Sequence, residues 1–419
     1  MPGVSPDTRR SLPWLLAALS MVGPFSIDAV FPSFPLLGAH FGVDAAALQQ
    51  LISVYLVTYA AMSLFHGAIS DALGRKPVIV AGMLVYAVAS IGAALAPSYS
   101  FLLVCRAVQG ASAGAGLVVG RAVIRDTYAG PAAQRLMSQV MMIFGVAPVL
   151  APIVGAWLLA LGGWRGIFWL VALAALLLAG LLVWLLAESH PPEQRTRFAL
   201  RPLLASYVAF GRDRPFWPLL ISSSVNFAGL FLYIASAPRI VIDLLHLSPA
   251  GFPWLFLPVV IGLVGGAWMS GRLAEARSLT FTVSLGYAVM LLACAAHLLL
   301  ALLLPAPRLP WSMLPLVLHG VGVQLAFPTL TLLLLDRFPH HRGGISSLQA
   351  CASLLLSAVV AGVLSPLLSG GMLTLGLGAT GFTVLGVMSW YWYGRLRRAP
   401  PAPPVPRDVA LQAQIAQPR

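Results

Sequence analysis

The sequence predicts an all-α membrane protein with twelve transmembrane helices arranged in two six-helix halves. Of its 419 residues, 59% are hydrophobic and only 9% are charged, and the mean hydropathy is +0.90. Soluble domains carry about 25% charged residues, so this composition excludes a soluble domain. One long polar segment, 188–215, separates six apolar spans from six others, which is the layout of transporters built from two repeated halves.

Stretches free of Asp, Glu, Lys and Arg mark most of the spans. Each exceeds the roughly 20 residues that are needed to cross a hydrocarbon core of about 30 Å. Two longer apolar stretches contain turn sequences, Pro97-Ser98-Tyr99 and Ser369-Gly370-Gly371, and each is divided there into two spans. The expected helices are centred near residues 24, 58, 87, 113, 148, 176, 227, 262, 290, 324, 356 and 383.

Positive charges lie mostly in alternate loops, and this pattern orients the protein. Arginine and lysine residues precede the first span, follow the second and fourth spans, and fill the 188–215 segment. By the positive-inside rule, both termini are expected in the cytoplasm. The formal net charge of +13 is then a signal of topology, because the chain carries no nucleic-acid-binding motif.

We expect four segments along the chain. Residues 1–187 form the N-terminal six-helix half, 188–215 a cytoplasmic linker, 216–394 the C-terminal six-helix half, and 395–419 a disordered cytoplasmic tail. The tail prediction rests on its proline-rich start and glutamine-rich end. The three cysteines lie in separate spans without disulfide or zinc-site spacing, so we expect no metal site.

The first span contains an acidic residue, Asp28, in the middle of apolar sequence that runs from Ser11 to Val43. A charged side chain at the membrane centre costs about 2.5 to 3.5 kcal/mol on insertion scales. Such residues usually face a cavity and handle ions, protons or substrate. The alternative is a structural acid that is either paired with a partner or simply tolerated in the membrane.

A polar loop follows the second span, with the sequence Gly67-Ala-Ile-Ser-Asp71-Ala-Leu-Gly74-Arg75-Lys76. It resembles the signature loop of the major facilitator superfamily between its second and third helices. Gly74 permits a tight turn, and Asp71 is placed to meet the positive end of a helix dipole. The resemblance implies that this helix is the eleventh, which starts near Gly343-Gly344, and that the loop acts in conformational switching.

The fourth and fifth spans carry two further motifs. Arg106-Ala-Val-Gln109-Gly110 resembles the intramembrane arginine motif of the superfamily, and Ala147-Pro148-Val-Leu-Ala151-Pro152-Ile-Val-Gly155-Ala156 resembles the antiporter motif of its drug exporters. The second motif has alanine at 151 and 156 where that family has glycine. Pro148, Pro152 and Gly155 are present, and such residues bend helices and allow the close packing that a gating interface needs.

Three segments resemble the bicyclomycin and chloramphenicol resistance (Bcr/CflA) branch of the drug:proton antiporters. They are Asp28-Ala-Val-Phe-Pro32-Ser-Phe-Pro35, Gly120-Arg121-Ala-Val-Ile-Arg125-Asp126-Thr-Tyr128 and Phe338-Pro339-His340-His341-Arg342-Gly343. The resemblance extends from about residue 12 to about residue 394. It implies the major facilitator fold and proton-coupled export by alternating access.

The expected depths of Asp28 and Arg106 in the membrane are similar. Asp28 lies about eight residues from the outer end of its helix and Arg106 about six from the outer start of the fourth, so both lie roughly 9 to 12 Å below the outer surface at about 1.5 Å per residue. We predict that Asp28 carries the proton and that Arg106 pairs with it and tunes its protonation as a water-filled cavity moves. The alternative is a permanent ion pair that locks the two helices together.

We expect a substrate cavity with a mostly apolar and aromatic wall and a few polar groups. The candidates are aromatic or amide side chains in the middle of spans from both halves. They are Tyr55, Tyr59, Gln109, Asn226, Phe227, Phe231, Tyr233, Gln324 and Phe327.

The sequence therefore predicts a proton-driven exporter of drugs or other small amphipathic toxic compounds in a bacterial cytoplasmic membrane. Its expected partners are a small-molecule substrate, protons and the lipid bilayer; it is expected to be a monomer and to need no cofactor. An exporter of a metabolite, such as a sugar, purine or amino-acid derivative, is the first alternative, and a transport-dead receptor or sensor is a distant one. A membrane enzyme is disfavoured because the sequence shows no paired intramembrane carboxylates and no nucleophile motif.

Overall fold

The computed structural model describes residues 6–128, 136, 140, 147, 150–195, 198–304, 306–338 and 341–397. All the regular elements within these ranges are helices. The predicted switch residue Pro148 and the part of the predicted tail beyond residue 397 lie outside the described residues.

Eleven of the described helices are long and apolar enough to cross a membrane, judged by length and composition. They lie where the sequence predicts them, and a shorter apolar helix, α5, follows the remaining predicted centre. In chain order the helices are α1 (Pro6–Asp28, continued by Phe34–Phe41), α2 (Ala45–Leu73), α3 (Arg75–Ala94), α4 (Tyr99–Thr127), α5 (Leu150–Gly162), α6 (Trp164–Leu185), α7 (Phe216–Ala235), α8 (Pro253–Ala276), α9 (Leu279–Leu303), α10 (Leu314–Arg337), α11 (Arg342–Leu368) and α12 (Met372–Leu396).

Short polar side chains begin three of these helices. Asp44 accepts a hydrogen bond from the backbone N–H of Ala47 at 2.8 Å at the start of α2. Ser98 and Ser278 do the same at 3.2 Å for the first turns of α4 and α9. These caps satisfy N–H groups that have no partner within the helix, so they fix where the chain re-enters the bundle after a loop.

The helices pack in the same pattern in both halves. In the first half α4 packs on α2 and α3, and α6 packs on α3; in the second half α10 packs on α8 and α9, and α12 packs on α9. Adding six to each number of the first set gives the second set. The two six-helix halves that the sequence predicts are thus confirmed as a structural repeat, and α2 of one half packs along α11 of the other.

The predicted first span is present, and its helix is interrupted within the membrane. α1 ends at Asp28, and a turn and a short 3-10 helix, Phe31–Ser33, precede the continuation that starts at Phe34. Pro32 and Pro35 lack the N–H groups that would continue the α-helical bonds. Irregular backbone at membrane depth occurs where protein buries it or where it lines a cavity, and Asp28 through Phe34 are buried.

A linker helix, Leu200–Gly211, contacts both halves at one end of the bundle. Its Tyr207 hydroxyl donates a hydrogen bond to the backbone carbonyl of Leu64 in α2 at 3.0 Å, and its Phe210 ring lies 5.0 Å from the ring of Phe338. Burial raises the pKa of Tyr207 to about 12, so the hydroxyl keeps its proton and remains a donor at neutral pH. We call this end of the bundle the linker end and the opposite end the distal end.

A buried ion pair anchors the chain that leads from the linker helix into α7. Arg337, the last residue of α10, donates from Nε and Nη2 to the two carboxylate oxygens of Asp213, each at 2.6 Å. Only 5% of the Asp213 side chain and 13% of the Arg337 side chain are exposed. Two parallel charge-assisted bonds hold the geometry rigidly, so the linker is tied to the second half.

Replacing Arg337 with glutamine is expected to lower the stability strongly, because Asp213 would stay buried without its counter-ion. Removing one partner of a buried pair typically costs about 3 to 5 kcal/mol. The midpoint of thermal unfolding in detergent, followed by tryptophan fluorescence, measures the loss. Arg239→Gln is the matched control, because it breaks the exposed Arg239–Asp243 pair, a type of pair worth about 0 to 1 kcal/mol. Equal losses in the two variants would contradict the anchoring role of the buried pair.

Candidate functional site

The side chain of Arg106 in α4 is fully buried and bonds to two neighbouring helices. Its Nε donates to the backbone carbonyl of Leu51 in α2 at 3.0 Å, and its Nη1 donates to the carbonyl and hydroxyl oxygens of Ser26 in α1 at 3.3 and 3.0 Å. The Nη1 group also donates to Oε1 of Gln109 at 3.0 Å. Its Nη2 is buried and has no hydrogen-bond partner, so one donor of the guanidinium is left for another ligand.

The same polar cluster extends to α3 and to an aromatic ring of α2. Gln109 donates from Nε2 to the hydroxyl of Ser90 at 2.7 Å, and that hydroxyl donates to the carbonyl of Tyr86 at 2.7 Å. The guanidinium carbon of Arg106 lies 4.5 Å from the centre of the Tyr55 ring, within range of a cation–π interaction. One arginine therefore connects four helices of the first half.

Asp28 lies next to this cluster, at the C-terminal end of α1 and two residues after Ser26. It is 4% exposed. Within the described part of the chain, Arg106 donates its bonds to carbonyl, hydroxyl and amide oxygens, and no ion pair joins it to Asp28. The predicted Asp28–Arg106 ion pair is thus not formed in this conformation, and the reason is that Leu51, Ser26 and Gln109 hold the guanidinium. The alternative of a permanent lock between α1 and α4 through that pair is excluded for this conformation.

Gly155 of α5 packs against the interruption of α1. A Cβ atom added at Gly155 would lie 2.2 Å from the backbone oxygen of Ala29, the residue after Asp28. Such a distance requires the backbone to move. Pro152 lies three residues earlier and is buried, so two residues of the predicted antiporter motif fall on the helix that touches the end of α1.

The predicted switch loop forms a network of charges at the linker end. Arg75 donates from Nη1 to Asp71 at 2.5 Å and from Nε to Asp126 at the end of α4 at 2.9 Å. The backbone N–H of Arg75 and that of Lys76 donate to the carboxylate of Glu188 at 2.9 and 3.2 Å. A carboxylate at these first N–H groups of α3 is favoured by the helix dipole.

Gly74 makes the turn in this loop, with a positive φ of 100°. A side chain at this position would be strained, and a Cβ atom would lie 2.6 Å from Oε2 of Glu188. Lys76 donates from Nζ to the carbonyl of Val183 in α6 at 2.8 Å. The turn therefore places the start of α3 against the end of α6.

In this conformation Asp71 pairs within its own loop and forms no ion pair with α11. Asp71 is 44% exposed and pairs with Arg75, while Gly67 and Gly343 have open space where a Cβ atom would lie. The first turn of α11 is instead near the linker helix, since a Cβ atom on Gly344 would lie 3.3 Å from the ring of Phe210. The expected contact between Asp71 and the start of α11 stays a prediction for another conformation.

Three side chains of α2 donate hydrogen bonds across the interface between the halves at the distal end. These bonds run from Gln49 to the carbonyl of Ala235 in α7 at 2.8 Å, from Gln50 to that of Gly362 in α11 at 2.9 Å, and from Ser53 to that of Ala358 in α11 at 2.9 Å. Residues 360–364 of α11 form a π-helical turn, which disturbs the regular bonds and frees carbonyl groups. The halves are therefore closed against each other at the distal end.

The predicted substrate-binding residues of the first half lie together. Tyr55 and Tyr59 pack edge to face with ring centres 6.3 Å apart, and Gln109 belongs to the Arg106 cluster. Both tyrosines and Gln109 are buried. In this conformation they face the interior of the first half.

The predicted residues of the second half divide into separate groups. The rings of Phe227 and Phe231 lie 5.9 Å apart on α7, whereas Asn226 donates to the sulfur of Met290 in α9 at 3.5 Å. Two more candidates contact other helices of the same half. Tyr233 packs against His297 of α9, and Gln324 lies at the contact of α10 with Gly266 of α8. Phe327 is half-buried in α10. These contacts bring Phe227 and Phe231 together but do not gather all six residues around one space.

The model of the family described as Major Facilitator Superfamily matches residues 16–362. The chain belongs to the Major Facilitator Superfamily. It is therefore a multi-pass membrane transporter for a small-molecule substrate rather than an enzyme.

Similar members of the superfamily carry names that refer to drug resistance. "Multidrug resistance protein D" of Escherichia coli is 29% identical over 90% of this chain and 94% of its own length. "Chloramphenicol resistance protein" of Pseudomonas aeruginosa is 28% identical over 80% of this chain and 79% of its own length. The crystal structure of a D-xylose-proton symporter has a TM-score of 0.71 at 15% identity, covering 91% of this chain and 96% of that one, which confirms the twelve-helix major facilitator fold.

The sequence analysis did not predict several residues of this site. Ser26 and Ser90 complete the Arg106 cluster, and Gln49, Gln50 and Ser53 close the distal end. Serine in a membrane span is common at helix contacts and gives no signal by itself. The neighbouring glutamines were a usable signal, because two amides at the start of an apolar helix need partners.

Gly155→Ala is expected to impair transport by this superfamily member while leaving it folded. The added methyl group would push against the backbone at Ala29 and displace Asp28, and overpacking of this kind typically costs about 1 to 3 kcal/mol. The measurements are substrate efflux from cells and the amount of monodisperse protein in detergent. Gly162→Ala is the control on the same helix, because a Cβ atom there meets nothing within 4 Å. Equal transport by the two variants would show that this contact does not position Asp28.

Proposed function

We propose that this transporter exports drugs or other small amphipathic toxic compounds across the cytoplasmic membrane in exchange for protons. The support is the set of relatives named for drug resistance, together with a buried carboxyl group, Asp28, at the interrupted end of α1. An intramembrane acid beside irregular backbone is a typical place for ion or proton handling. The protein would work as a monomer with both termini in the cytoplasm, driven by the proton gradient without a cofactor.

The proposed orientation makes the linker end cytoplasmic and the distal end outer. The arginine-rich linker and the Asp71 loop lie at the linker end, as the positive-inside rule requires. The hydrogen bonds of Gln49, Gln50 and Ser53 close the outer end, while Asp71 is exposed at the cytoplasmic end. The proposal therefore takes this conformation as the inward-facing one of an alternating-access cycle, in which 1–187 and 216–394 would move as two bodies about the linker.

Asp28 is the proposed proton carrier and Arg106 the group that tunes it. The unpartnered Nη2 of Arg106 is a donor that an ionised Asp28 or a substrate oxygen can accept from. When Asp28 binds a proton, this attraction is lost, and the guanidinium stays with Ser26 and Leu51 as the structure has it. Rearrangement of these bonds would couple protonation to the packing of α1 on α4.

The energy of one proton sets the scale of export. A proton moving down about 100 mV and half a pH unit releases roughly 3 kcal/mol. This energy supports a gradient of about 100-fold for a neutral substrate. Because Asp28 is the one acid proposed to act within the membrane, neutral, zwitterionic or monocationic substrates fit the proposal better than dications do.

Asp28→Asn is expected to abolish energised export, because asparagine has nearly the same size but cannot exchange a proton. Cells that express the parent, the variant or an empty vector are compared in a panel of toxic compounds, with and without a protonophore. Purified parent protein should also release protons when substrate is added, and the variant should release none. Asp243→Asn, at an exposed carboxylate, is the control and should export like the parent.

If Asp28→Asn still exports at the parent rate against a gradient and remains sensitive to protonophore, another group carries the proton. Asp28→Glu keeps a titratable group and should retain part of the activity, which separates loss of the proton site from loss of the fold.

Asp71→Asn and Gln50→Ala are expected to shift the conformational equilibrium in opposite directions. If Asp71 faces the start of α11 in the outward-open state, its charge contributes about 0.3 to 1 kcal/mol there, so the asparagine variant should favour the inward-facing state. Gln50→Ala removes a hydrogen bond that closes the distal end, worth about 0.5 to 1.5 kcal/mol, and should favour the outward-open state.

Labelling of single cysteines introduced at each end of the bundle measures these populations. The distal cysteine should react faster in Gln50→Ala than in the parent, and the linker-end cysteine should react faster in Asp71→Asn. Unchanged labelling in Asp71→Asn would remove the predicted role of this carboxylate, and unchanged labelling in Gln50→Ala would show that its bond to Gly362 does not hold the gate.

A further inference from the structure

The second half contains a buried polar cluster that the proposed transport cycle does not use. Its centre is a pair of histidines, His297 of α9 and His319 of α10, which are 4% and 2% exposed. Cys294 of α9 connects the two histidines, because its sulfur lies 4.0 Å from Nδ1 of His319. The Tyr233 ring of α7 lies 5.0 Å from the His297 ring, and Cys294 lies one turn before His297 on α9.

The hydrogen bond of His297 fixes its tautomer. The Nε2 atom lies 3.1 Å from the backbone carbonyl of Met372 at the start of α12. A carbonyl only accepts, so Nε2 carries the hydrogen and Nδ1 carries a lone pair. This Nδ1 is buried and has no partner, so His297 presents a bare acceptor.

A chain of polar contacts joins His319 to the same cluster. The Thr383 hydroxyl donates to the carbonyl of Ala379 at 2.9 Å, so its oxygen is an acceptor for the thiol of Cys294 at 3.5 Å. With its hydrogen directed to Thr383, the Cys294 sulfur accepts from Nδ1 of His319 at 4.0 Å. In this arrangement Nε2 of His319, which is buried and has no partner, carries a lone pair.

A cavity of about 300 Å³ reaches this cluster from the distal end of the bundle. His297 belongs to its wall, and the rest of the wall comes from the end of α9, the loop before α10 and the turn between α11 and α12. Among the described lining residues none is Asp, Glu, Lys or Arg; the polar ones besides His297 include Ser312. Such a cavity is large enough for several water molecules.

Only weakly titrating groups face the histidine pair from the helices around it. They are Tyr233 from α7 and Cys294 from α9, while α12 contributes Thr383 and the carbonyl of Met372. No carboxylate among the described contacts of the pair holds an imidazolium permanently. Burial of an unpaired charge is costly, so the pair is neutral when dry and can hold a proton when water enters the cavity.

We propose that His297 and His319 form a second proton-binding site, which water reaches through this cavity. Two bare lone pairs in one buried cluster are acceptors that a proton satisfies. Two imidazolium ions in one buried cluster would repel each other, so the pair takes up about one proton and titrates as a unit. The site is distinct from Asp28, which lies in the other half, and it rests on the proposed function only for the assignment of the distal end to the outside.

Nitrogen-15 NMR of the histidine rings tests the proposal on the full-length protein in lipid bilayers. The parent, His297→Gln and His319→Gln are compared, and the missing signals assign each ring. At neutral pH, Nδ1 of His297 and Nε2 of His319 should show the chemical shift of a bare nitrogen. On acidification through about pH 5, within the range where histidine changes charge, one bare nitrogen of the pair should shift to the protonated value, and removing either histidine should move the midpoint of the other.

If both bare nitrogens stay unchanged as the sample is acidified from neutral pH to about pH 5, within the range where histidine changes charge, the cluster holds only water and the proposal is overturned. Independent midpoints for the two rings would also overturn it, since the pair would then not bind the proton as a unit.

The same titration of Asp28→Asn separates this proposal from the proposed function. A normal histidine titration in that variant is expected, because Asp28 does not contact the pair. Parent protein that exports no drug but shows the paired titration would contradict the proposed function and support the second site. Drug export without any histidine titration would support the proposed function and contradict the second site.

Discussion

The packing of the first half depends on a buried guanidinium that is held by neutral dipoles. Arg106 donates to backbone and side-chain oxygens on α1, α2 and its own helix. Taking such a charge out of water costs several kcal/mol unless partners replace the water, so these oxygens cannot move away independently. The bond to Ser26 fixes the end of α1, and with it the location of Asp28. Any change that gives Arg106 a better partner is therefore transmitted to three helices at once.

Irregular backbone occurs where the halves and helices must move. α1 is interrupted after Asp28, and α11 contains a π-helical turn at the contact with α2. In a membrane each freed carbonyl needs a donor, because no water is present to supply one. Gln50 and Ser53 supply donors to α11 in this conformation. Such bonds are worth about 1 kcal/mol each, which is strong enough to close an interface and weak enough to open it again.

Sequence alone predicts the helices and the acid but not their contacts. The span positions follow from hydropathy, since each helix must be apolar over the thickness of the membrane. The family motifs locate Asp28, Arg106 and the Asp71 loop. The pairing of Arg106 was not predictable, because its partners include the backbone carbonyls of Ser26 and Leu51, and any residue type supplies a carbonyl. Asn226 and Tyr233 contact α9, whereas Phe227 contacts Phe231. This difference was not predictable either, because packing decides which side of a nearly uniform apolar helix faces a given neighbour.

In the proposed cycle, the charge of the Asp28 and Arg106 side chains explains how one acid can exchange a proton for a drug. Arg106 keeps its charge in every state, so the two side chains together are positive when Asp28 is protonated and neutral when Asp28 is ionised. A monocationic substrate is then repelled by the protonated form and tolerated by the ionised form, and in a low-dielectric site this difference amounts to several kcal/mol at short range. Proton and cation compete through the field alone, without touching the same atoms. The energy of a neutral substrate does not depend on this charge difference. Such a substrate can compete with the proton only by accepting a hydrogen bond from the unpartnered Nη2 of Arg106 or by blocking the approach of Asp28.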